Sequence, residues 1–337
     1  MDGESTPGSA RLELEREATF GGVGVMVDRD IHCVDVSNPA ERQDEIDDQL
    51  WAAATELGFF QVTGHDIPLA DIDRAFALAE QFFGLDDEVK ARRTMPQGAN
   101  AGWESKTQKR PSTGTLDQKE SYQITRTRMD QHDLWPTSDE LAGFVDVMID
   151  FEQANWRLAM RLLASFARKL GFDDDFFTTR HDPASAEYQS TLRLLHYFPL
   201  RADELGDGVW RAGAHTDYDC LTLLHQRPGQ RGLQLCPGAE AVRDRDPDAP
   251  LGWTDVEPTE GVVTCNIGDM LMRWSDDQLP STLHRVMPPA GDSGARYSIA
   301  FFAQANRNAV IQGPAAVHEP ITAHDFLQQR IQANFVN

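Results

Sequence analysis

What the chain lacks narrows its chemistry before anything it contains. Its four cysteines, Cys33, Cys220, Cys236 and Cys265, are scattered and form no C-x-x-C pair, which excludes a zinc knuckle and a dense disulfide framework. Cys220 and Cys265 lie in apolar, strand-like surroundings and read as small buried hydrophobes. No apolar run approaches the roughly 18 residues of a transmembrane helix. Met1 to Ala10 has neither the basic segment nor the apolar core of a signal peptide. The expectation is therefore a cytoplasmic protein with no membrane partner. Positive charge is scarce as well: 31 Lys and Arg stand against 54 Asp and Glu, a net charge of -23. That field repels phosphate backbones, so nucleic acid is not an expected partner. The chain has no internal repeat and no H-E-x-x-H zinc motif.

What is present is globular in composition, with 40% hydrophobic and 25% charged residues over 337 positions. Residues 1–25 mix Gly, Ser, Pro and charge without a periodic face and read as a mobile arm. Ile31 to Val36 reads as a strand, with Ser37 as the cap of a following helix. Ile46, Leu50, Ala53, Ala54 and Leu57 form that helix's apolar stripe and Gly58 its stop. Phe59 to Val62 is a second strand, and Ile72, Phe76, Ala79 and Phe83 line a second helix. The pattern then lapses from Thr94 to Arg128, a stretch that reads equally as a functional lid or a surface insertion. Leu141 to Leu170 carries the longest helical stripe, ended by Gly171.

Beyond Tyr188 the texture changes to short β-rich runs: Thr191–Phe198, Cys220–Leu224, Gly232–Leu235, Val262–Ile267, Met270–Trp274 and Tyr297–Phe302. This spacing predicts an antiparallel sandwich or barrel. Thr322 to Val336 reads as a terminal helix. The domain expectation is an N-terminal α/β region over 26–135, including the long loop, and a core over 136–337.

His215-Thr216-Asp217 precedes one of these apolar runs. On a strand, residues two apart face the same way, so His215 and Asp217 would share a face and one metal ion. His284, in Leu283-His284-Arg285-Val286, is the best third ligand. Two histidines and one carboxylate leave three positions open on non-haem iron(II), with zinc the competing metal. In Arg296-Tyr297-Ser298 the same spacing places an arginine beside a hydroxyl, a receptor for a carboxylate.

In order and approximate spacing, His215-Thr216-Asp217, Gly232-Leu233-Gln234, Asn266-Ile267-Gly268-Asp269, His284-Arg285-Val286 and Arg296-Tyr297-Ser298 resemble the isopenicillin N synthase-like iron(II)/2-oxoglutarate-dependent oxygenases. Gly58 to His65 resembles that family's opening region. The resemblance implies a mixed α and β fold, a distorted double-stranded β-helix or jelly roll with flanking helices and an N-terminal α/β region. It implies Fe(II) on His215, Asp217 and His284, and 2-oxoglutarate held by Arg296, Ser298 and Tyr197. O2 is then the oxidant, with ascorbate as a reductant in vitro. The implied enzyme is a dioxygenase that oxidises a C–H bond of a small molecule, as in specialised metabolism, and works as a monomer or weak homo-oligomer. Family members that use no 2-oxoglutarate, and a non-catalytic ligand-binding relative, are the alternatives. Relatives use the 94–128 region as a substrate lid, which makes Trp103, Lys106 and Tyr122 candidate substrate contacts, together with His225. Asp219 stands where relatives commonly have glycine.

Overall fold

The computed structural model describes residues 24–107, 116–201, 203, 210–237, 251–288, 291 and 293–335. In chain order, strands β1 (Val25–Met26) and β2 (Cys33–Asp35) lead to helix α1 (Pro39–Leu57), strand β3 (Phe59–Thr63) and helices α2 (Leu69–Phe83) and α3 (Asp87–Ala91). Strands β4 (Gly102–Ser105) and β5 (Lys119–Ile124) precede helix α4 (Arg126–Met129) and the long helix α5 (Phe144–Leu170). Six strands follow: β6 (Thr191–Tyr197), β7 (Ala212–His215), β8 (Leu221–Gln226), β9 (Leu233–Cys236), β10 (Gly252–Asp255) and β11 (Val263–Ile267). Helix α6 (Asp269–Trp274), strands β12 (Leu283–Val286), β13 (Arg296–Ala303), β14 (Val310–Ile311) and β15 (Ile321–Thr322), and helix α7 (Ala323–Phe335) complete the order. No described helix is long and apolar enough to cross a membrane.

Two sheets face each other, a large one in the order β2-β3-β11-β8-β13-β6-β5-β4 and a smaller one in the order β1-β10-β9-β12-β7. Strands from before residue 135 are hydrogen-bonded into both sheets. Alternation gives the large sheet two unlike faces. Leu221, Leu223, Val263, Cys265, Ile299 and Phe301 point outward into a core shared with helices α1, α2 and α5, which contribute Leu50, Phe76, Leu162 and Phe166. Leu195, Tyr197 and Ala300 point inward and meet Leu233, Leu235 and Val286 of the small sheet. The two inner faces enclose the interior of a double-stranded β-helix.

The helix stripes read from the sequence are buried as expected, among them Ile46, Leu50, Ala53, Ala54 and Leu57 in α1. Gly58 ends α1 at φ 67°, and a Cβ there would lie 2.3 Å from the Pro280 carbonyl, so a left-handed turn and a close approach both require glycine. Four local expectations are corrected. Met270 to Trp274 is helix, because an apolar run of this length carries no decisive period and Asp269 favours a helical first turn. Ser37 does not cap α1: its backbone N–H donates to Asp35, and the N-cap position is the left-handed Asn38. The Thr94–Arg128 stretch is not irregular throughout but supplies β4 and β5, which pair along Gly102–Ser105. Asp217 lies outside any strand, in the turn between β7 and β8. The residue 1–23 part of the arm and the Lys109 to Gly114 part of the loop fall outside the described residues.

Candidate active site

The small sheet brings the two histidines together by register. His215, the last residue of β7, pairs directly with His284 of β12, and the rings stand 4.3 Å apart. The Phe59 ring packs edge-on against His284 from the facing sheet, at 5.5 Å. Nδ1 of His215 donates to the Gly213 carbonyl at 2.7 Å and Nδ1 of His284 to the Thr282 carbonyl at 3.2 Å. A carbonyl only accepts, so each neutral ring keeps its lone pair at Nε2. Both Nε2 atoms face Asp217 Oδ1, at 3.9 Å from His215 and 3.7 Å from His284. The three side chains form the one His/Cys/Asp/Glu group of metal-binding geometry among the described residues.

Asp217 reaches this position from a turn rather than a strand, so other groups fix it. Its Oδ2 accepts from the Thr222 hydroxyl at 2.6 Å and from Asn266 Nδ2 at 2.8 Å, while its carbonyl accepts from the Asp269 amide at 2.8 Å. One carboxylate oxygen is thereby occupied and the other is presented to the histidines, the outer support that metal ligands require. Asp269 is tied in turn to Thr216 and to Arg330 of α7. Asp219 is fully buried, and desolvation, reinforced by the Asp217 charge, pushes its carboxyl well up. It packs on Gly268, where a Cβ would lie 2.2 Å from its carbonyl oxygen.

Arg296 and Ser298 share the inner face of β13 as the spacing predicts, and Arg296 pairs in register with Tyr197 of β6. The guanidinium is buried, donates to the Gln230 carbonyl at 3.0 Å and to Ser298 Oγ at 3.4 Å, and lies over the Tyr197 ring at 4.7 Å. Its Nη2 is buried without a hydrogen-bond partner. Burial lowers its pKa, and no carboxylate meets it among the described residues. For Tyr197 burial acts upward, but the Arg296 and Lys119 cations outweigh it and the net shift is down. A buried cation with an open donor calls for an anionic ligand. The donor set thus fits both iron(II) and a carboxylate-bearing cosubstrate.

The four candidate substrate residues fare differently. Tyr122 is buried, donates its hydroxyl to the Leu134 carbonyl at 2.7 Å and packs on Phe82, so it is a core residue on the outer face of β5. Trp103 pairs with Tyr122 on that same face, and its indole donates to Glu120 at 2.7 Å. His225 also faces outward; its Nε2 meets Asn155 at 2.7 Å, and burial lowers its pKa to about 3. One strand parity separates these three from the interior. Lys106 alone of the four lies by the interior's rim, exposed, with Nζ 5.0 Å from the Phe198 ring. Sequence reasoning missed Thr222 and Asn266 as supports of Asp217, though Asn266 stands within a motif quoted above.

The 2OG-Fe(II) oxygenase superfamily matches residues 188–305, and a non-haem dioxygenase N-terminal family matches residues 31–139. A proline hydroxylase, buaE, of Petromyces alliaceus is 30% identical over 86% of this chain and 93% of its own length. A 2-oxoglutarate-Fe(II) type oxidoreductase, hxnY, of Emericella nidulans is 32% identical over 80% of this chain and 79% of its own. Among solved structures, a full-length Neurospora crassa protein in complex with alpha-KG and thymine superposes with a TM-score of 0.78 at 28% identity, covering 92% of this chain and 99% of that one. These relatives, together with the site geometry, identify the chain as a member of the 2OG-Fe(II) oxygenase superfamily and an iron(II)- and 2-oxoglutarate-dependent dioxygenase.

Proposed function

We propose that His215, Asp217 and His284 hold the iron, that Arg296, Ser298 and Tyr197 hold the distal carboxylate of 2-oxoglutarate, and that a small organic molecule is oxidised at a C–H bond beside them. When bound, iron and 2-oxoglutarate together activate dioxygen for C–H oxidation, with succinate and carbon dioxide as co-products. The chain's own part is orientation and exclusion of water. Thr222 and Asn266 hold Asp217 by one oxygen, and the Gly213 and Thr282 carbonyls hold the two imidazoles in their metal-binding tautomer. Arg296 would anchor the far end of the cosubstrate and so orient it within the interior. Leu195, Leu224, Ala300 and Phe302 keep the inner wall apolar beside this line.

The buried, unanswered Nη2 of Arg296 on the inner face carries this reading, because a buried guanidinium with an open donor is costly unless an anion meets it. Relatives named for proline hydroxylation and bound to thymine support a small substrate, and fungal relatives of this kind support a place in specialised metabolism. The test is release of labelled carbon dioxide from carboxyl-labelled 2-oxoglutarate with iron(II), ascorbate and oxygen. Release that depends on iron and is abolished in Asp217→Ala, with the fold retained by circular dichroism, is the expected result. Release undiminished in that variant sinks the ligand assignment.

A further inference from the structure

Besides the metal ligands and the Arg296 cradle, a second set of polar side chains faces the interior, and the mechanism above leaves it without a role. Glu104 of β4 pairs with Ser121 of β5, Ser121 with Leu195 of β6, and Gln123 of β5 with Arg193 of β6. Because Leu195 points inward, alternation turns Glu104, Ser121, Gln123 and Arg193 inward as well. Arg193 pairs with Ala300 of β13, and Ala300 with Leu224 of β8, two residues from Thr222, which holds Asp217. Strand spacings of ~4.8 Å put Arg193 on β6 about 10 Å, and Gln123 on β5 about 14 Å, to the side of β8, so that a small molecule lying between the metal and β5 reaches both.

Glu104 is the hub of the wall. Its Oε1 accepts from Arg193 Nη2, from Ser121 Oγ at 2.8 Å and from Gln123 Nε2 at 3.4 Å, and its Oε2 accepts from Thr107 at 2.6 Å. Arg193 Nε is sealed from solvent without a partner, and two further atoms are left open to the interior. Arg193 Nη1 and Gln123 Oε1 have no partner among the described residues, and neither is among the polar atoms sealed from solvent. The amide orientation of Gln123 is set by chemistry, since only its nitrogen can face a carboxylate. A donor and an acceptor thus stand side by side on directly paired residues, backed by an ion pair that carries no net charge.

That pairing restricts what can lie against it. An apolar molecule would strip water from both atoms and return no hydrogen bond. A bare anion would meet Glu104 and a bare cation Arg193, each at a cost. A neutral molecule with a carbonyl oxygen next to an N–H satisfies both atoms at once.

We propose that this wall selects the substrate, and that the substrate is a small, net-neutral compound with a cis-amide edge, a lactam or cyclic imide, whose carbonyl accepts from Arg193 and whose N–H donates to Gln123. The assignment rests on the interior being the oxidising site proposed above. The test is an anaerobic titration of the iron(II)- and 2-oxoglutarate-loaded protein, reading the perturbation of its visible charge-transfer absorption. The probes are thymine, 2-piperidone, cyclohexanone, which has the carbonyl without the N–H, and L-proline. One amide should bind about tenfold or more tightly than cyclohexanone, the value of roughly one well-made hydrogen bond. Gln123→Met, which keeps the Glu104–Arg193 pair, should remove that advantage and leave cyclohexanone and 2-oxoglutarate binding unchanged. Arg193→Met should weaken amides and cyclohexanone together. Equal binding of amide and ketone, tighter binding of L-proline than of either amide, no binding of either amide, or an unaffected Gln123→Met variant overturns the proposal. Loss of 2-oxoglutarate binding in the unaltered protein would instead overturn the reading of Arg296.

Discussion

Replacing Arg296 by Met should move stability and cosubstrate affinity in opposite directions. In the ligand-free protein the guanidinium is buried, with one donor unanswered and one bond to Ser298 stretched to 3.4 Å. Burial already lowers its pKa, the mark of a charge held at a cost. Methionine fills similar volume without that charge, so the free protein should be as stable as before or more so. With 2-oxoglutarate present, Nη1 and Nη2 are the two atoms available to a carboxylate. Two charge-assisted hydrogen bonds at about 1.5–3 kcal/mol each amount to about 3–6 kcal/mol, a loss of about 10²- to 10⁴-fold in affinity. Calorimetric titration of 2-oxoglutarate into the manganese-loaded protein measures the second quantity, and thermal unfolding with and without 2-oxoglutarate measures the first. The ligand-induced rise in melting temperature should vanish in the variant. An affinity within about threefold of the original, or a free protein melting more than about 5 °C lower, would refute the reasoning.

Two further outcomes follow from the same contacts. Asn266→Leu removes a bond to Asp217 Oδ2 and should lower metal affinity about 10- to 100-fold in a competition assay, the usual size of such outer-support effects; unchanged affinity would show that Thr222 suffices alone. His225 is held neutral with its pKa near 3, against 6.5 when unfolded, so the unfolded chain takes up a proton that the folded chain refuses as pH falls below about 6.5. Its contribution is complete above that pH and drains away toward about pH 3, roughly 2 kcal/mol of it between pH 7 and 5. Urea unfolding at those two pH values should show a shallower difference in His225→Leu, and an identical difference would place the effect elsewhere.

What the sequence disclosed and what it concealed divide along a physical line. The i, i+2 spacing set Arg296 beside Ser298 because both lie on one strand, whereas His284 meets His215 only across the pairing of β12 with β7. The i, i+2 argument for Asp217 needed a strand, whereas the residue lies between β7 and β8, steadied by Thr222 and Asn266, contacts that no local pattern encodes. Strands β4 and β5 were hidden because their inward positions carry Glu104, Ser121 and Gln123, which break the apolar alternation by which strands are recognised. Trp103 and Tyr122 then drew attention as aromatics in an apparent loop, although β-pairing turns both toward the helices. Parity along a strand becomes readable only when its register is known.

The interwoven sheets also separate two tasks along the chain. Every residue assigned to the metal and to 2-oxoglutarate lies between Tyr197 and Ser298, whereas three of the four polar wall residues come from strands some ninety residues or more upstream of the metal ligands. A change confined to Gly102–Ile124 therefore alters three of the four wall residues without replacing any residue assigned to the metal or to 2-oxoglutarate.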